Sequence, residues 1–474
     1  MRASISHPID TNARLGDLNG NKLTGAELVS VTEAVSACLS AQLPRGSLVG
    51  LYADNSRDWA IADLALQQAG MVSIPVPGFF TLAQIGQLLM TYPVQAVIAP
   101  MLPPALQTVG FAEKTRLPES SLILCINGVP AAPVHPFLPG AKLTFTSGST
   151  GDPKGIPLGA DQQWQVADSL AKALQSLGLK RHLAMLPMSV LLENVAGLYT
   201  GLRLGADIVL PSMSQVGLSG SSGFNAKQAI EAIIASEAES IILLPQMLRD
   251  ILFEMQASGQ SVRRLKFVAV GGGKVADSLI REARQTGLPV YEGYGLSEAC
   301  SVVSLNTPAA DRIGSVGKPL AHQSVRIASD GEIEISQHED TWFATGDLGE
   351  IDVDGFLHVT GRKKNVLITS FGRNVSPEWP ESVLQSFPEI AQVMVYGEAQ
   401  PHLCALIVPS HPDLSVQKLQ AVIDSANRLL PDYARIGRWH ALDKAFSVGD
   451  GLLTANGRPR REQICDFYHD LIQI

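Results

Sequence analysis

The sequence predicts an α/β protein, with a large N-terminal domain of mostly parallel sheets flanked by helices and a small α+β C-terminal domain. Two stretches repeat the order strand, helix, strand, one between residues 48 and 76 and one between residues 226 and 270. That order is typical of a parallel sheet covered on both faces. From about Asp352 the pattern changes to short strands and polar joints, which indicates a separate module.

The first stretch opens with an apolar strand at residues 48–52. Residues 54–56 (Asp, Asn, Ser) offer a helix cap, and apolar residues recur at helical spacing over residues 58–68. Gly70 ends this helix, and residues 72–76 form the next strand. The spacing therefore predicts one complete strand–helix–strand unit.

The second stretch predicts a helix at residues 226–235, a strand at 241–244, a helix at 246–255 and a strand at 267–270. Three glycines follow this last strand directly. Ligands bind beyond the carboxyl ends of parallel strands, where glycines let the backbone approach them. We therefore expect a binding site that includes Gly271, Gly272 and Gly273.

Composition limits the class of protein. A chain of 474 residues suggests two or three domains, at about 150 residues each. The hydrophobic fraction of 46% supplies a large core. The net charge of -9 and the pI of about 5.6 exclude attraction of nucleic acid by bulk charge, so we expect no nucleic-acid partner.

The predicted location is the cytoplasm. The five cysteines are odd in number, and no two have a metal-ligand or redox spacing, which favours a reduced compartment. Residues 1–10 lack the basic start and apolar run of a secretory signal. The most apolar long stretch, residues 185–210, does not predict a transmembrane segment because four polar residues interrupt it: Glu193, Asn194, Arg203 and Asp207.

A segment rich in Ser, Thr and Gly follows an apolar strand and reads L-T-F-T-S-G-S-T-G-D-P-K-G over residues 143–155. Hydroxyls, backbone N–H groups and one lysine are what a polyphosphate needs. A flexible linker is the alternative, but the preceding strand and the trailing Pro-Lys-Gly favour phosphate binding. It is not a P-loop, which requires Gly-Lys-Ser/Thr. The candidate ligands are Thr146, Ser147, Gly148, Ser149, Thr150, Gly151 and Lys154.

The second segment reads Y-E-G-Y-G-L-S-E-A over residues 291–299. We predict that Gly293 and Gly295 hold Tyr294 on a tight turn after a strand end, where its ring can stack on a base. Glu298 can supply one carboxylate to Mg²⁺. Simple packing of an aromatic strand end is the alternative.

Two further segments follow. In A-T-G-D-L, residues 344–348, Asp347 can accept both hydroxyls of a ribose, although ordinary turn chemistry also explains the motif. The basic run G-R-K-K at residues 361–364 precedes S-F-G-R-N-V-S-P at residues 370–377. We place the domain boundary near Lys364, with domains at residues 1–363 and 364–474.

In this order, the four segments resemble the adenylate-forming (AMP-binding) superfamily, which includes acyl-CoA synthetases, peptide-synthetase adenylation domains and luciferases. The resemblance extends from L-T-G-A-E-L at residues 23–28 to L-T-A-N-G at residues 453–457. It implies distorted sheets in the large domain, a mobile small domain and an active site in the cleft between them. The implied ligands are ATP, Mg²⁺, a small carboxylic acid and coenzyme A.

The resemblance also implies roles for single residues. The segment from Thr146 to Lys154 would hold the β- and γ-phosphates, and Glu298 would bind Mg²⁺. Ser297 keeps the hydroxyl of the usual threonine. The small domain would turn about Lys364, and Gly372 would let the pantetheine arm pass. The ribose, adenine and acyl positions would be Asp347, Arg362, Gly271, Gly272, Gly273, Glu292, Gly293, Tyr294 and Gly295.

Two stretches are most similar to long-chain or bulky-acyl CoA synthetases. They are L-P-M-S-V-L-L-E-N-V-A-G at residues 186–197 and L-I-T-S-F-G-R-N-V-S-P at residues 367–377. Ser189 or its neighbour stands where that branch often has a histidine. A plain buried helix at residues 190–198 is the alternative. We expect an apolar acid, fatty or aromatic.

The C-terminal loop departs from the family pattern. The family places a lysine there that contacts the acid carboxylate and the α-phosphate, whereas this chain has Arg458 and no lysine after Lys444. Arginine is planar and bulkier than an ammonium, so the exchange is not conservative. Three hypotheses follow. In the first, Arg458 suffices; in the second, adenylation is slow and the enzyme serves mainly in thioester formation or acts only with a particular carrier. In the third, the chain binds nucleotide without turnover.

The acceptor thiol stays open between coenzyme A and the phosphopantetheine of an acyl carrier protein, because both present the same arm. A basic patch would favour an acidic carrier. The candidates for such a patch are equally explained by the 3′-phosphate of coenzyme A or by an ordinary solvated hinge: Arg362, Lys363, Lys364 and Arg373. Cys300 is expected to be a buried thiol and not a nucleophile. A monomer or a homodimer is expected.

Overall fold

The structure is a computed structural model, and it describes residues 9–78, 80, 85–86, 88, 91–128, 137–147, 153–220, 223–338, 341–370, 373–454 and 457–472. The chain divides into two compact units. The first comprises Met1–Ile242, Arg264–Phe267 and Gly295–Val302, and the second comprises Leu243–Arg263, Val268–Tyr294 and Val303–Ile474. The boundary expected near Lys364 stays a prediction.

The helices of the first unit follow the spacing of its apolar residues, and a π-helical segment, Asn194–Tyr199, joins two of them. They are α1 (Gly25–Gln42), α2 (Arg57–Gln68), α3 (Pro104–Gln107), α4 (Ala160–Leu174), α5 (Leu191–Glu193), α6 (Thr200–Leu204) and α7 (Ala226–Ser236). Short 3₁₀ turns lie at Gln175–Leu177, Met213–Val216 and Ser297–Ala299.

The strands up to residue 243 are mostly short and apolar. They are β1 (Arg14–Gly16), β2 (Lys22–Thr24), β3 (Leu48–Leu51), β4 (Val72–Pro75), β5 (Ala96–Ala99), β6 (Phe111–Arg116), β7 (Ile123–Asn127), β8 (Lys142–Ser147), β9 (Pro153–Leu158), β10 (Arg181–Leu183), β11 (Asp207–Val209), β12 (Leu218–Ser219), β13 (Gly223–Phe224) and β14 (Ser240–Leu243).

Two mixed sheets organise the first unit. One has the order β6-β7-β5-β3-β4-β8-β9, in which β5, β3, β4 and β8 run parallel and the outer strands run antiparallel. In the other, β14, β10, β11 and β1 are parallel, and β2 pairs antiparallel with β1. The parallel centres confirm the predicted α/β class.

Capping side chains begin the first two helices where the sequence offers them. Thr24 accepts from the N–H of Glu27 at 3.3 Å, and the Glu27 carboxylate accepts from the N–H of Thr24 at 2.7 Å. Ser56 accepts from the N–H of Trp59 at 3.1 Å, which confirms the predicted start of α2. Both caps satisfy N–H groups that a helix leaves unpaired in its first turn.

A buried polar cluster crosses the core of the first unit. Lys142, at the start of β8, donates to Asp63 on α2 at 2.9 Å and also to Asn194 and Tyr199 of the π-helical segment. The same Asp63 oxygen accepts from Asn194 at 3.0 Å and from Tyr199 at 2.8 Å. Hydrogen bonds thereby connect β8, which leads to the candidate phosphate segment, with α2 and with the π-helical segment.

The helix predicted as an alternative at residues 190–198 is present as α5 and the π-helical segment. Glu193, one of the charges that interrupts this apolar stretch, is fully buried. Its carboxylate accepts from the N–H groups of Met185 (3.0 Å) and Leu186 (2.9 Å), and His182 Nε2 lies 2.8 Å away. A buried carboxylate is stable only with such partners.

The strands of the second unit begin with two that continue the predicted strand–helix pattern. The bounds are β15 (Phe267–Val270), β16 (Val290–Leu296), β17 (Ser301–Leu305), β18 (Lys318–Pro319), β19 (Val325–Ile327), β20 (Glu332–His338), β21 (Thr341–Ile351), β22 (Leu357–Arg362), β23 (Leu367–Ile368), β24 (Asn374–Val375), β25 (Ile390–Tyr396), β26 (Leu403–Pro409) and β27 (Ile436–Ala441).

Among the described residues of this unit, six helices accompany these strands: α8 (Pro245–Ser258), α9 (Asp277–Gln285), α10 (Glu378–Gln385), α11 (Val416–Arg428), α12 (Arg461–Phe467) and α13 (His469–Ile472). Short 3₁₀ turns lie at Lys363–Asn365 and Asp432–Ala434. β15 pairs parallel with β16, and β19 to β22 form an antiparallel sheet. The C-terminal sheet, β25-β26-β27, is mixed, and helices pack beside it, in agreement with the predicted α+β module.

Two apolar cores stabilise the C-terminal part. One lies between β25, β26 and the helices α10 and α11, with Leu384, Ile407 and Ile423 nearly inaccessible to solvent. The other lies towards α12 and includes Leu406 and Ile464. No helix in the described part of the chain is long and apolar enough to cross a membrane.

Candidate active site

The predicted site residues fall in both units. The second unit contains those of β15, β16, β21 and β22 together with the C-terminal loop: Gly271, Gly272, Gly273, Glu292, Gly293, Tyr294, Asp347, Arg362, Lys364 and Arg458. The first unit contains the candidate phosphate segment and four further positions: Ser189, Gly295, Ser297 and Glu298. The second unit brings most of its members into contact.

Asp347 is the centre of the group in the second unit. Its side chain is almost fully buried, with Arg362 Nε 2.7 Å from one carboxylate oxygen. The Tyr294 hydroxyl donates to the other oxygen at 2.6 Å. Burial raises the pKa of Asp347, and the positive charges of Arg362 and Arg458 oppose that rise. Each carboxylate oxygen has two lone pairs, so this group can still accept two hydroxyl donors.

A bulge in β21 aims this carboxylate. Gly346 has φ of 76°, in the left-handed region that glycine adopts without strain. Its N–H donates to Glu332 at 2.8 Å, and the N–H of Asp347 donates to the Thr345 hydroxyl at 3.1 Å. The register between β20 and β21 shifts at this point. The T-G-D motif therefore makes a bulge inside a strand, which the simple turn explanation missed.

The tight turn predicted around Tyr294 is wrong, because Val290–Leu296 is a continuous strand. The glycines are needed for close approach of neighbouring backbone. A Cβ on Gly293 would lie 3.2 Å from the Ser304 carbonyl oxygen, and one on Gly295 would lie 1.8 Å from that of Ser301. Burial, followed by the charge of Asp347, raises the pKa of the Tyr294 hydroxyl, so it acts as a donor.

The glycine segment after β15 lies beside this strand, as predicted. A Cβ on Gly271 would lie 3.2 Å from the carbonyl oxygen of Gly293, so the two backbones approach closely. Glu292 pairs with Val270 in the parallel register and is 5% exposed. Burial raises the pKa of Glu292 to about 8, the Asp277 carboxylate adds to the rise, and the Lys274 ammonium opposes it. The carboxyl therefore carries its proton at neutral pH.

Glu292→Gln is expected to flatten the pH dependence of stability. Folding raises the pKa of Glu292 from 4.5 to about 8. Between about pH 5 and pH 8, the folded state therefore keeps a proton that the unfolded state has already released. Stability is therefore lost as pH rises, by up to about 1.4 kcal/mol per pH unit, and glutamine removes this loss. Urea unfolding at pH 6 and pH 7 measures it. The exposed Glu462→Gln is the control, and equal slopes in both variants would contradict the assignment.

Arg458 reaches the same group from the C-terminal loop. Its Nη2 donates to the carbonyl oxygen of Gly272 at 3.4 Å, and its charge opposes the rise that burial causes in the pKa of Asp347. The loop is held by the Thr454 hydroxyl, which accepts from the N–H of Arg458 at 3.1 Å, and by the Thr454 N–H, which donates to the Arg458 carbonyl at 2.8 Å. The cation is thus placed beside the glycine segment, where the predicted chemistry needs a positive charge.

The candidate phosphate segment begins and ends on paired strands. β8 ends at Ser147 and β9 begins at Pro153, and Thr146 pairs with Lys154 in the antiparallel register. Gly148, Ser149, Thr150 and Gly151 lie outside the described residues. A Cβ on Gly155 would lie 2.3 Å from the Tyr92 hydroxyl, which accepts from the Gly155 N–H at 3.1 Å. The trailing glycine of the motif is therefore required by a close contact, and the phosphate role stays a prediction.

The candidate metal ligand is Glu298, half-buried in a 3₁₀ turn with Ser297. In the described part of the chain, no three His, Cys, Asp or Glu residues are arranged to hold a metal ion. Mg²⁺ usually takes one or two carboxylates and completes its shell with water and substrate phosphate oxygens. One accessible carboxylate is therefore compatible with Mg²⁺ bound together with ATP. Burial raises the pKa of the adjacent Cys300 thiol to about 12, as a buried core thiol requires.

The remaining predicted positions are less constrained. Ser189 is half-buried in a turn before α5. Lys364 is exposed in a 3₁₀ turn, next to Asn365, which donates to Glu378 at 2.5 Å. Gly372 lies outside the described residues. The roles expected for these three in acid selection, hinge motion and pantetheine passage stay predictions.

Sequence reasoning missed two basic residues of the second unit. Lys274, directly after the three glycines, donates to the Val359 carbonyl at 2.8 Å and offsets the burial of Glu292. Arg249 on α8 is buried and contacts Gln385 and Ile390. Lys274 could have been found from the sequence, because it directly follows the three glycines. Arg249 could not, because its partners lie more than a hundred residues away in the chain.

Comparison with known proteins gives two family matches that cover almost the whole chain. The family described as AMP-binding enzyme matches residues 4–359, and the AMP-binding enzyme C-terminal domain matches residues 364–474. Among solved structures, the anthranilate CoA ligase AuaEII with anthranoyl-AMP superposes with a TM-score of 0.78 at 18% identity, covering 100% of this chain and 97% of that one. The Bacillus subtilis O-succinylbenzoate coenzyme A synthetase with ATP and magnesium gives 0.70 at 22% identity, with 98% of each chain covered.

Three curated relatives are similar over part of their length. A long-chain-fatty-acid–CoA ligase of Mycobacterium bovis is 32% identical over 41% of this chain and 39% of its own. A 2-succinylbenzoate–CoA ligase of Bacillus velezensis is 29% identical over 55% and 56%. An indoleacetate–CoA ligase of Aromatoleum aromaticum is 28% identical over 68% and 66%. The matches thus span less than two thirds of each relative's length.

Proposed function

The chain belongs to the AMP-binding enzyme family, part of the adenylate-forming superfamily that its motifs predict, and we propose that it is an AMP-forming acid–thiol ligase. In the first step, a carboxylic acid and ATP give an acyl-adenylate and pyrophosphate. In the second, the thiol of coenzyme A attacks the adenylate and releases AMP and the thioester. Two of the curated relatives are named for acids that contain an aromatic ring and one for long-chain fatty acids, which supports a fatty or aromatic acid as the substrate class.

One observation carries the proposal: a buried carboxylate held by an arginine and a tyrosine, with a second arginine at the adjacent glycine segment. Asp347 would accept the ribose hydroxyls of the nucleotide, because its oxygens are fixed by Arg362 and Tyr294 and keep further lone pairs. With the ribose there, the α-phosphate end of the nucleotide would extend towards Gly272 and Arg458. The bulge at Gly346 holds the Asp347 carboxylate in its orientation before the nucleotide binds, so binding would require little reorganisation.

The charge that develops during adenylation is what the site must stabilise. As the acid carboxylate attacks the α-phosphorus, Arg458 would donate to the reacting oxygens from its position beside Gly272. Lys154 and the hydroxyls near it would hold the departing pyrophosphate. Mg²⁺, when bound through Glu298, would supply further neutralisation of the phosphates. No protein nucleophile is needed, which agrees with the buried state of Cys300.

The direct test is release of AMP and pyrophosphate from the purified protein with Mg-ATP and a series of fatty and aromatic acids, with and without coenzyme A. AMP release that needs both an acid and coenzyme A would support the ligase. Pyrophosphate exchange without thioester formation would favour a carrier-protein acceptor. ATP binding without exchange for any acid would overturn the proposal in favour of a nucleotide-binding relative.

Tyr294→Phe is expected to raise the KM for ATP about three- to tenfold, because it removes one hydrogen bond to a buried carboxylate and keeps the ring. Initial rates at varied ATP concentration measure the change. Tyr433→Phe, which alters an exposed tyrosine of the same unit, is the matched control. An unchanged KM in Tyr294→Phe would show that Asp347 does not hold the nucleotide.

A further inference from the structure

A buried arginine connects α8 to the C-terminal part of the second unit. Arg249 is 7% exposed, and its Nη1 donates to the carbonyl oxygens of Gln385 at 2.9 Å and Ile390 at 2.8 Å. Its Nη2 lies 2.7 Å from the carboxylate of Asp250. The guanidinium is therefore paired with one carboxylate and two carbonyls, which is what its burial requires.

The two carbonyls belong to places where the backbone needs an outside donor. Gln385 is the last residue of α10, and the last carbonyls of a helix have no partner within the helix. A cation there also interacts favourably with the helix dipole. Ile390 is the first residue of β25. Arg249 thus holds the end of α10 and the start of the C-terminal sheet to α8.

The start of α8 is also in contact with the glycine segment. A Cβ on Gly272 would lie 3.0 Å from the Leu244 side chain, and one on Gly273 would lie 3.6 Å from Pro245, the first residue of α8. Arg458 donates to Gly272 on this same segment. Residues 364–474, which the C-terminal-domain family matches, therefore have two such contacts. Gln385 and Ile390 bond to Arg249 on α8, and Arg458 bonds to the glycine segment beside the start of α8.

We propose that Arg249 is a positioning residue for the first half-reaction. It holds the C-terminal segment, residues 364–474, so that Arg458 reaches Gly272. This inference rests on the proposed function. Arg249 contacts neither ATP nor the acid in this scheme. It acts only through the placement of the loop that carries Arg458.

A double-mutant cycle on acid-dependent ATP–pyrophosphate exchange tests the inference. Arg249→Ala is expected to slow exchange about tenfold, the effect of a lost hydrogen bond to a charged group. In an Arg458→Ala background, the same change is expected to alter exchange less than about twofold, because effects that act through one group are not additive. Arg249→Lys, which keeps the charge but has no second nitrogen to pair with Asp250, is expected to slow exchange less than Arg249→Ala does.

The matched control is Arg284→Ala. Arg284 also donates to a backbone carbonyl, that of Val290, and to a carboxylate, that of Asp311. Both of its partners precede residue 364, so its loss is expected to lower exchange by the same factor with or without Arg458. Equal factors for Arg249→Ala in both backgrounds would overturn the proposal, whereas absence of exchange in the parent with every acid would overturn the proposed function instead.

A second readout does not depend on activity. Hydrogen–deuterium exchange of peptides covering residues 452–460 is expected to be about tenfold faster in Arg249→Ala and unchanged in Arg284→Ala, because Arg249 bonds to Gln385 and Ile390, whereas Arg284 bonds to Val290 and Asp311. Equal protection of these peptides in the parent and in Arg249→Ala would contradict the positioning role, whether or not the acid substrate has been found.

Discussion

Arg458→Ala is expected to slow adenylate formation about a hundredfold to a thousandfold, the usual effect of removing a positioned donor at a developing charge. The reason is geometric. Arg458 donates to Gly272, and its charge acts on the buried Asp347 that would hold the ribose, so under the proposal its charge would lie at the α-phosphate end of the nucleotide. ATP–pyrophosphate exchange measures the rate of this step directly.

Comparison of Arg458→Lys with Arg458→Ala separates the three hypotheses for this position. If arginine suffices, alanine should abolish most exchange and lysine should keep a measurable part of it. A faster rate in Arg458→Lys than in the parent would show that adenylation is slow with arginine. Arg438→Ala removes one exposed arginine from β27 and is the control for charge. Exchange equal to that of the parent in both Arg458 variants would exclude any role for this residue.

Lys142→Ala is expected to destabilise the protein by about 3–5 kcal/mol, because it leaves the Asp63 carboxylate buried without a cation. Both side chains are nearly inaccessible to solvent, so water cannot replace the missing ammonium. The Tyr199 hydroxyl and the Asn194 amide would remain as the donors to Asp63. Urea unfolding at neutral pH, followed by the midpoint and the slope, measures the loss.

The control is a double variant, Lys142→Met with Asp63→Asn, which removes both charges and keeps an acceptor for Tyr199. Replacement of both members of a buried ion pair is often nearly neutral, so this variant should lose less than half as much stability as Lys142→Ala. A loss below about 0.5 kcal/mol in Lys142→Ala would contradict the buried pair, since that is the range of surface substitutions.

The elements that the sequence predicted well are those whose pattern is local. The helix at residues 58–68 and the strand at residues 267–270 agree with α2 and β15 to within a residue, because apolar spacing and a capping serine act within one element. The order of motifs was also sufficient to identify the family, since the glycines, hydroxyls and charges of a nucleotide site occur at fixed places along the chain.

The conformation of the Y-E-G-Y-G segment was not predictable from its residues. Glycine permits a turn, but it also permits a neighbouring backbone to approach where a Cβ would collide. The structure shows close approach and no turn, because the Ser301 carbonyl lies where a Cβ on residue 295 would be. In the same way, Asp347 becomes a held and buried carboxylate because Tyr294 and Arg362, distant in the chain, lie beside it.

The sequence by itself determined the class of fold, the family and the residue types available for chemistry. The tertiary structure decided which groups the charged side chains contact. Lys142 pairs with Asp63 across 79 residues, Arg249 bonds to Ile390 across 141, and Arg458 bonds to Gly272 across 186. The physical reason is that burial and electrostatic pairing depend on distance in space, and a chain brings such partners together only when its sheets and helices pack.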